Sequence, residues 1–296
     1  MVLESRITWE KLGLELELLA KEEPRSLLPI LIGINSLLRM DDSGQDRCLR
    51  ALNFMTYELA AICEKQSEAD RFQLLNDFLF TTRDFRINNL NRKTLSSRDL
   101  LISNVIEERG GGAIPVALIY MHLAQELDLP IFIVNQPQYH LLKWVRGSKC
   151  EFIDVSEKAK ILCEDEILKY LNLNQPKVST VSMATANCDD PKSEVVSLKS
   201  LLMVYLADLK TALMRENETD LSHAVLSMLL KIEPTNLRWI GERALLRKQM
   251  GHLKEAQQDL KRYFSFIDIS NAPTEIQVAS KEIQALSVAA TTETMH

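Results

Sequence analysis

Arg109-Gly110-Gly111-Gly112-Ala113-Ile114-Pro115-Val116-Ala117-Leu118-Ile119-Tyr120-Met121 begins the segment from which the architecture follows. Three consecutive glycines would weaken any regular element, so they predict a sharp backbone feature. From Ala113 to Leu127 the apolar set Ala117, Leu118, Tyr120, Met121, Leu123, Ala124 and Leu127 predicts a helix, which Asp128 and Pro130 end. Short β-rich runs follow at Ile131 to Val134, Tyr139 to Val145 and Phe152 to Val155, the first two separated by the turn Asn135-Gln136-Pro137-Gln138. Helix, strand, turn, strand, turn, strand is the order of an α+β core with a small antiparallel sheet.

Working outward, Asp99 to Glu108 predicts a short helix capped by Ser97 or Asp99, and the polar run Arg83 to Ser97, without a period, predicts a long surface loop. Upstream, the sequence predicts helices around Trp9 to Leu19, from Pro24 to Leu38, from Arg47 to Glu64 and from Glu68 to Phe80, with Asp41-Asp42-Ser43-Gly44 as a turn. Downstream, Asn172 to Val195 is rich in Ser, Thr, Asn, Pro and Ala and predicts a linker. Helices follow at Leu198 to Arg215, Leu221 to Ile232, Leu237 to Met250, Leu253 to Phe266 and Pro273 to Leu286. The organisation expected is a helical N-terminal region plus α+β core over 1–172, a linker over 173–195, a helical unit over 196–290 and a tail over 291–296. The chain is therefore read as α+β and predominantly helical.

Composition narrows the classes of function. Apolar residues make up 46% and charged residues 26% of the 296 residues, the balance of a globular protein with a core. A formal charge of -6 announces no basic face for nucleic acid. The longest apolar stretch near the N-terminus, Leu27 to Leu38, is interrupted by Asn35 and Ser36 and is too short to span a bilayer. The first residues show no signal-peptide pattern. Five scattered cysteines without a CxxC argue against a disulfide framework and a zinc site. The expectation is a cytoplasmic protein without metal or cofactor, binding neither nucleic acid nor membrane.

Two stretches resemble known families. Arg243 to Leu260, with Gly251 closing one helix and Ala256 at a close helix approach, resembles a TPR unit, which implies either a partner-docking surface or simply a helical pair packed on the first module. The order from Ala113 through Tyr139-His140-Leu141-Leu142 to Phe152-Ile153-Asp154 resembles the transglutaminase-like and papain-type core. There a Cys opens a helix whose N-terminus favours thiolate, a His on a strand shuttles the proton, and an Asp or Asn orients the His. Matching Leu127-Asp128-Leu129-Pro130 to that family's helix end places Ala113 at the nucleophile position, and no Cys, Ser or Thr lies between Gly110 and Tyr120. The resemblance is closest to the bacterial SirB-type proteins (SirB-one, labelled invasion gene regulators), which join a transglutaminase-like core lacking the Cys to C-terminal TPR repeats. It is carried by Val105 to Gly110, Ile114 to Pro130, Val134-Asn135, His140 to Leu142, Phe152 to Asp154 and Arg243 to Phe264. Where that family shows Arg-Gly-x-Pro-Ile-Ser-Leu, this chain has Gly110 to Leu118 with the proline shifted.

The resemblance implies a degenerate triad at Ala113, His140 and Asp154, with Tyr139, Gln138 and Arg109 as binding residues around the old cleft. His140 then either ties two strands together through Asp154 or keeps a binding or catalytic role. His122, about 180° around the helix from Ala113, is not expected to be part of the same site. Cys150, at even separation from Asp154, is a replacement nucleophile in geometry only. The implied function is a non-catalytic protein acting in protein–protein interaction or regulation, with a protein or peptide partner. The alternative is a residual hydrolase or acyltransferase using His140 and Asp154 with a nucleophile from elsewhere.

Overall fold

The structure, a computed structural model, describes residues 9–18, 26–40, 42–136, 138–147, 149–163, 165–167 and 195–293. Of the expected linker only Val195 is among them, and of the expected tail only 291–293.

At the centre lies α7 (Ala113–Glu126), whose residues from Ala113 to Tyr120 are all buried, as are His122, Leu123 and Ala124. A helix apolar on every side is a core helix, and the rest of the first half surrounds it. Against it pack α2 (Leu28–Arg39), α3 (Asp42–Cys63), α4 (Glu68–Asn76) and α6 (Ile102–Glu108). The Tyr120 hydroxyl on this helix donates to Asn76 Oδ1 at 2.7 Å, both residues buried. A first helix, α1 (Trp9–Leu18), buries Leu12 and Leu16 but leaves Leu14 and Leu18 exposed.

The chain after α4 departs from the expected loop. A π-helical turn spans Asp77–Thr82, β1 spans Arg86–Asn89, and a 3-10 turn spans Arg92–Thr94. The triple glycine is itself a strand, β2 (Gly110–Gly112), paired parallel with β1. The sharp feature sits one residue earlier, at Arg109, with φ 56°. What requires glycine in β2 is close approach: a Cβ on Gly111 would stand 2.5 Å from Val105 Cγ2 and 2.7 Å from the Asp99 carbonyl oxygen. The single helix expected over 99–108 is two, α5 (Ser97–Leu100) and α6, broken at Leu101 with ψ 116°. Its cap is Ser96, reciprocated by Asp99 in a capping box. The turn expected at 41–44 is, over its described residues 42–44, the first turn of α3.

After α7 the strands β3 (Ile131–Ile133), β4 (Leu141–Arg146), β5 (Lys149–Asp154) and β6 (Lys160–Ile161) form an antiparallel sheet in sequential order. Leu142, Trp144 and Ile153 join the main core, and Trp144 stacks on Phe72 at 4.3 Å. Val134, Leu141, Phe152 and Leu162 form a second, smaller cluster.

The C-terminal helices are α8 (Leu198–Arg215), α9 (Thr219–Ile232), α10 (Leu237–Gln249), α11 (Leu253–Phe264) and α12 (Thr274–Glu293), each packed on its neighbour in sequence. Gly251, at φ 78°, makes the tight turn between α10 and α11. Between these two helices Asp259 is buried and held by Arg243 at 2.7 and 2.9 Å and by Arg247 at 2.7 Å. Helix α8 fastens the two halves. Asp208 takes a two-pronged ion pair from Arg92 at 2.7 and 2.8 Å, the Tyr205 hydroxyl donates to the Leu100 carbonyl at 2.9 Å, and Arg215 donates to the Leu95 carbonyl. One apolar cluster accordingly runs from Leu12 to Ile283.

Gly111→Ala is expected to destabilise the protein by about 1–3 kcal/mol in urea unfolding, because both clashing groups are backbone or branched core atoms. Gly13→Ala, in α1 with no atom within 4 Å of its new Cβ, is expected to be neutral or to stabilise by up to about 1 kcal/mol.

Candidate functional site

His140 stands one residue before β4 and Asp154 ends β5, where it faces Leu141 in the ladder. The Val155 N–H donates to the His140 carbonyl at 3.1 Å, so strand pairing alone brings the two side chains together. His140 Nε2 lies 3.8 Å from Asp154 Oδ2, beyond direct hydrogen-bond length. Both are buried, at 2% and 0% exposure. The other carboxylate oxygen of Asp154 accepts from the Ser156 N–H at 2.8 Å and the Ser156 hydroxyl at 2.6 Å, capping the turn Val155–Glu157 that packs on α7. Asp154 thus faces its histidine and caps a turn at once.

The residue that sequence reasoning missed is Gln136, which reads there as part of a turn. It is buried, and its Oε1 accepts the Gln138 backbone N–H at 2.8 Å. That bond orients the amide, so Nε2 is the atom 3.2 Å from His140 Nδ1 and acts as donor. Nδ1 therefore accepts, and the neutral imidazole carries its proton on Nε2, toward Asp154. Burial pushes the His140 pKa below the usual imidazole value, against the upward pull of Asp154 and Glu157.

The remaining expected residues are placed as follows. Ala113 opens α7 behind Gly112 and is 3% exposed. Tyr139 is buried with φ 57°, and the Arg92 guanidinium lies 5.2 Å over its ring. Gln138 enters through its backbone, as the donor that fixes Gln136. Arg109 is exposed at the C-cap of α6, and its carbonyl accepts the Arg86 N–H at 3.0 Å.

No free thiol takes the nucleophile position among the described residues. Cys48 and Cys63 lie on α3 and Cys163 beyond β6. Burial, with Glu107 adding, pushes the Cys48 thiol up to about 12, and burial raises Cys63 against the pull of Arg71. Cys150 is disulfide-bonded. No group of three or more His, Cys, Asp or Glu among the described residues is arranged to hold a metal ion. No helix among them is long and apolar enough to cross a membrane.

Residues 46–197 match the family model described as the transglutaminase-like superfamily, a span that holds α7, His140 and Asp154. The chain is similar to the UPF0162 protein BU173 of Buchnera aphidicola, 30% identical over 156 residues, covering 52% of this chain and 55% of that protein. It is similar to a UPF0162 protein of Haemophilus influenzae, 27% identical over 165 residues, 56% of this chain and 59% of that one. F-box only protein 21 of Mus musculus is 26% identical over 105 residues, 36% of this chain and 16% of that protein. The matches thus span little over half of the curated UPF0162 relatives. No solved structure matches.

Nitrogen-15 NMR of the histidine side chains is expected to show His140 as the Nε2–H tautomer at neutral pH. Gln136→Ala, which removes the donor that favours the neutral ring, is expected to raise its pKa; an Nδ1–H ring would contradict the assignment. His122, His140 and His223 all have pKa values held below 6.5, burial being the first cause in each. The unfolded chain therefore binds protons before the folded one does. Their contribution to stability is complete above about pH 6.5 and is lost as pH falls through the depressed values. The urea midpoint is expected to drop between about pH 7.5 and about pH 5.

Proposed function

This chain belongs to the transglutaminase-like superfamily, and from that premise we propose that it is a non-catalytic member acting in protein–protein interaction or regulation. The observation that carries the reading is the state of the triad positions. The helix start where the family places its thiol is Ala113, and the histidine and acid are buried at 2% and 0% exposure. The histidine nitrogen that would serve a nucleophile through Nδ1 is engaged by Gln136. Removing one member of such a triad leaves only background catalysis. Here the thiol is absent and the base is turned to a structural partner.

The docking role falls to the C-terminal helices; the tight turn at Gly251 between α10 and α11 and the buried Ala256 support the TPR-like reading of this hairpin. Exposed Phe266, Ile269 and Val278 near its end offer apolar contact to a protein or peptide. The SirB-type resemblance supports the same combination of an inactive core with a docking module, working in the cytoplasm without cofactor.

The test is turnover by the purified full chain on glutamine-donor peptides with an amine acceptor, and on peptide esters. The expected rate equals that of the His140→Ala variant and is unchanged by iodoacetamide. A His140-dependent rate abolished by alkylation would instead establish a hydrolase or acyltransferase with a nucleophile from elsewhere.

A further inference from the structure

A cavity of about 550 Å³ lies between α7, the edge of β3 and the segment 195–198 where the chain enters α8. That volume falls within the range of roughly 300–1,000 Å³ found for small-molecule sites. It is separate from the triad positions, none of which lines it. Its mouth carries the exposed Gln125 and Ser197, and its depth is aliphatic, with Leu118, Ile131 and Val196 buried. One polar side chain reaches that depth. His122 is 3% exposed, and its Nε2 has no hydrogen-bond partner among the described residues. A buried nitrogen without a partner is a standing cost that a ligand hydrogen bond would remove. No Asp, Glu, Lys or Arg is among the described residues lining the cavity. A charged ligand would therefore bury its charge without a counter-ion.

We propose that this cavity is a binding site for a neutral amphipathic small molecule, an aliphatic chain bearing one hydroxyl or amide group that hydrogen-bonds the His122 imidazole. The aliphatic chain follows from the described lining, which is mostly aliphatic, Phe132 apart. The neutral head follows from the absence of a charged side chain among the described lining residues, and the burial that keeps His122 itself neutral agrees with it. The site does not depend on whether the triad positions are catalytically silent.

The probe is 1-octanol, titrated into the full chain while the side-chain signals of its five histidines are followed by nitrogen-15 NMR. A saturable shift confined to His122 is expected. Octanoate at neutral pH is expected to bind at least about tenfold more weakly, because its carboxylate has no counter-charge. Leu118→Trp, which fills the cavity, is expected to abolish octanol binding. His122→Leu is expected to retain binding weakened about threefold to tenfold, the worth of one neutral hydrogen bond. Three results would overturn the proposal: no saturable shift up to the solubility limit of octanol, octanoate binding as tightly as octanol, or unchanged affinity in His122→Leu. Should Leu118→Trp fail to fold, the octanoate comparison and the His122 variant still decide the matter.

Discussion

Helix α7 has almost no solvent face, and the neighbouring elements take the positions that this requires. A helix buried all round needs a complete apolar shell, supplied here by α2, α3, α4 and α6 and by the β3–β6 sheet. It also needs its first turn reached by backbone that is itself buried. That approach is β2, and buried backbone must pair. Pairing with β1 meets the need, and the three glycines let Val105, Leu95 and the Asp99 carbonyl close to contact distance. The polar run after residue 83 is therefore ordered because the helix start would otherwise lie beside unpaired amides.

The same closure governs the chemistry. A proton-shuttling histidine needs a nucleophile on one nitrogen, an orienting acid on the other, and access for a substrate. His140 has Asp154 3.8 Å from Nε2 and the Gln136 amide 3.2 Å from Nδ1, and is 2% exposed. The neighbouring Tyr139 is held in left-handed backbone, a conformation that persists only where its surroundings over-determine it. Arg92 supplies part of that restraint by lying over the Tyr139 ring while ion-paired to Asp208 of α8. One arginine thus ties the C-terminal helices to the residue that precedes His140.

How much of this was legible in sequence depended on whether a pattern was local. Helices with a helical period and end signals, such as α8 and α10, are found within a residue or two of expectation. The pairing of His140 with Asp154 was legible because β-strand order in a short meander leaves few registers. Gln136 was not legible, because its role depends on an amide orientation set by a backbone N–H two residues on. Nor was β1, since Arg86–Asn89 is polar and becomes a strand only by meeting Gly110–Gly112. The two-helix break at Leu101 and the Ser96 cap follow from the same packing against β2, and adjacent Ser and Asp residues gave several equivalent caps to choose among.

The buried His140 and Asp154 are each tied into the surrounding structure. Removing His140 would leave the buried Gln136 amide nitrogen without its partner, and removing Asp154 would take the acceptor from the Ser156 N–H and hydroxyl; each polar group stranded in a dry interior costs about 1–3 kcal/mol. Asp154 also caps the turn that packs on α7, and His140 is engaged by Gln136, so each loss would propagate beyond the pair. At the start of α7 no such tie exists: Ala113, 3% exposed, sets a small apolar side chain in an apolar interior, where no polar atom needs a partner.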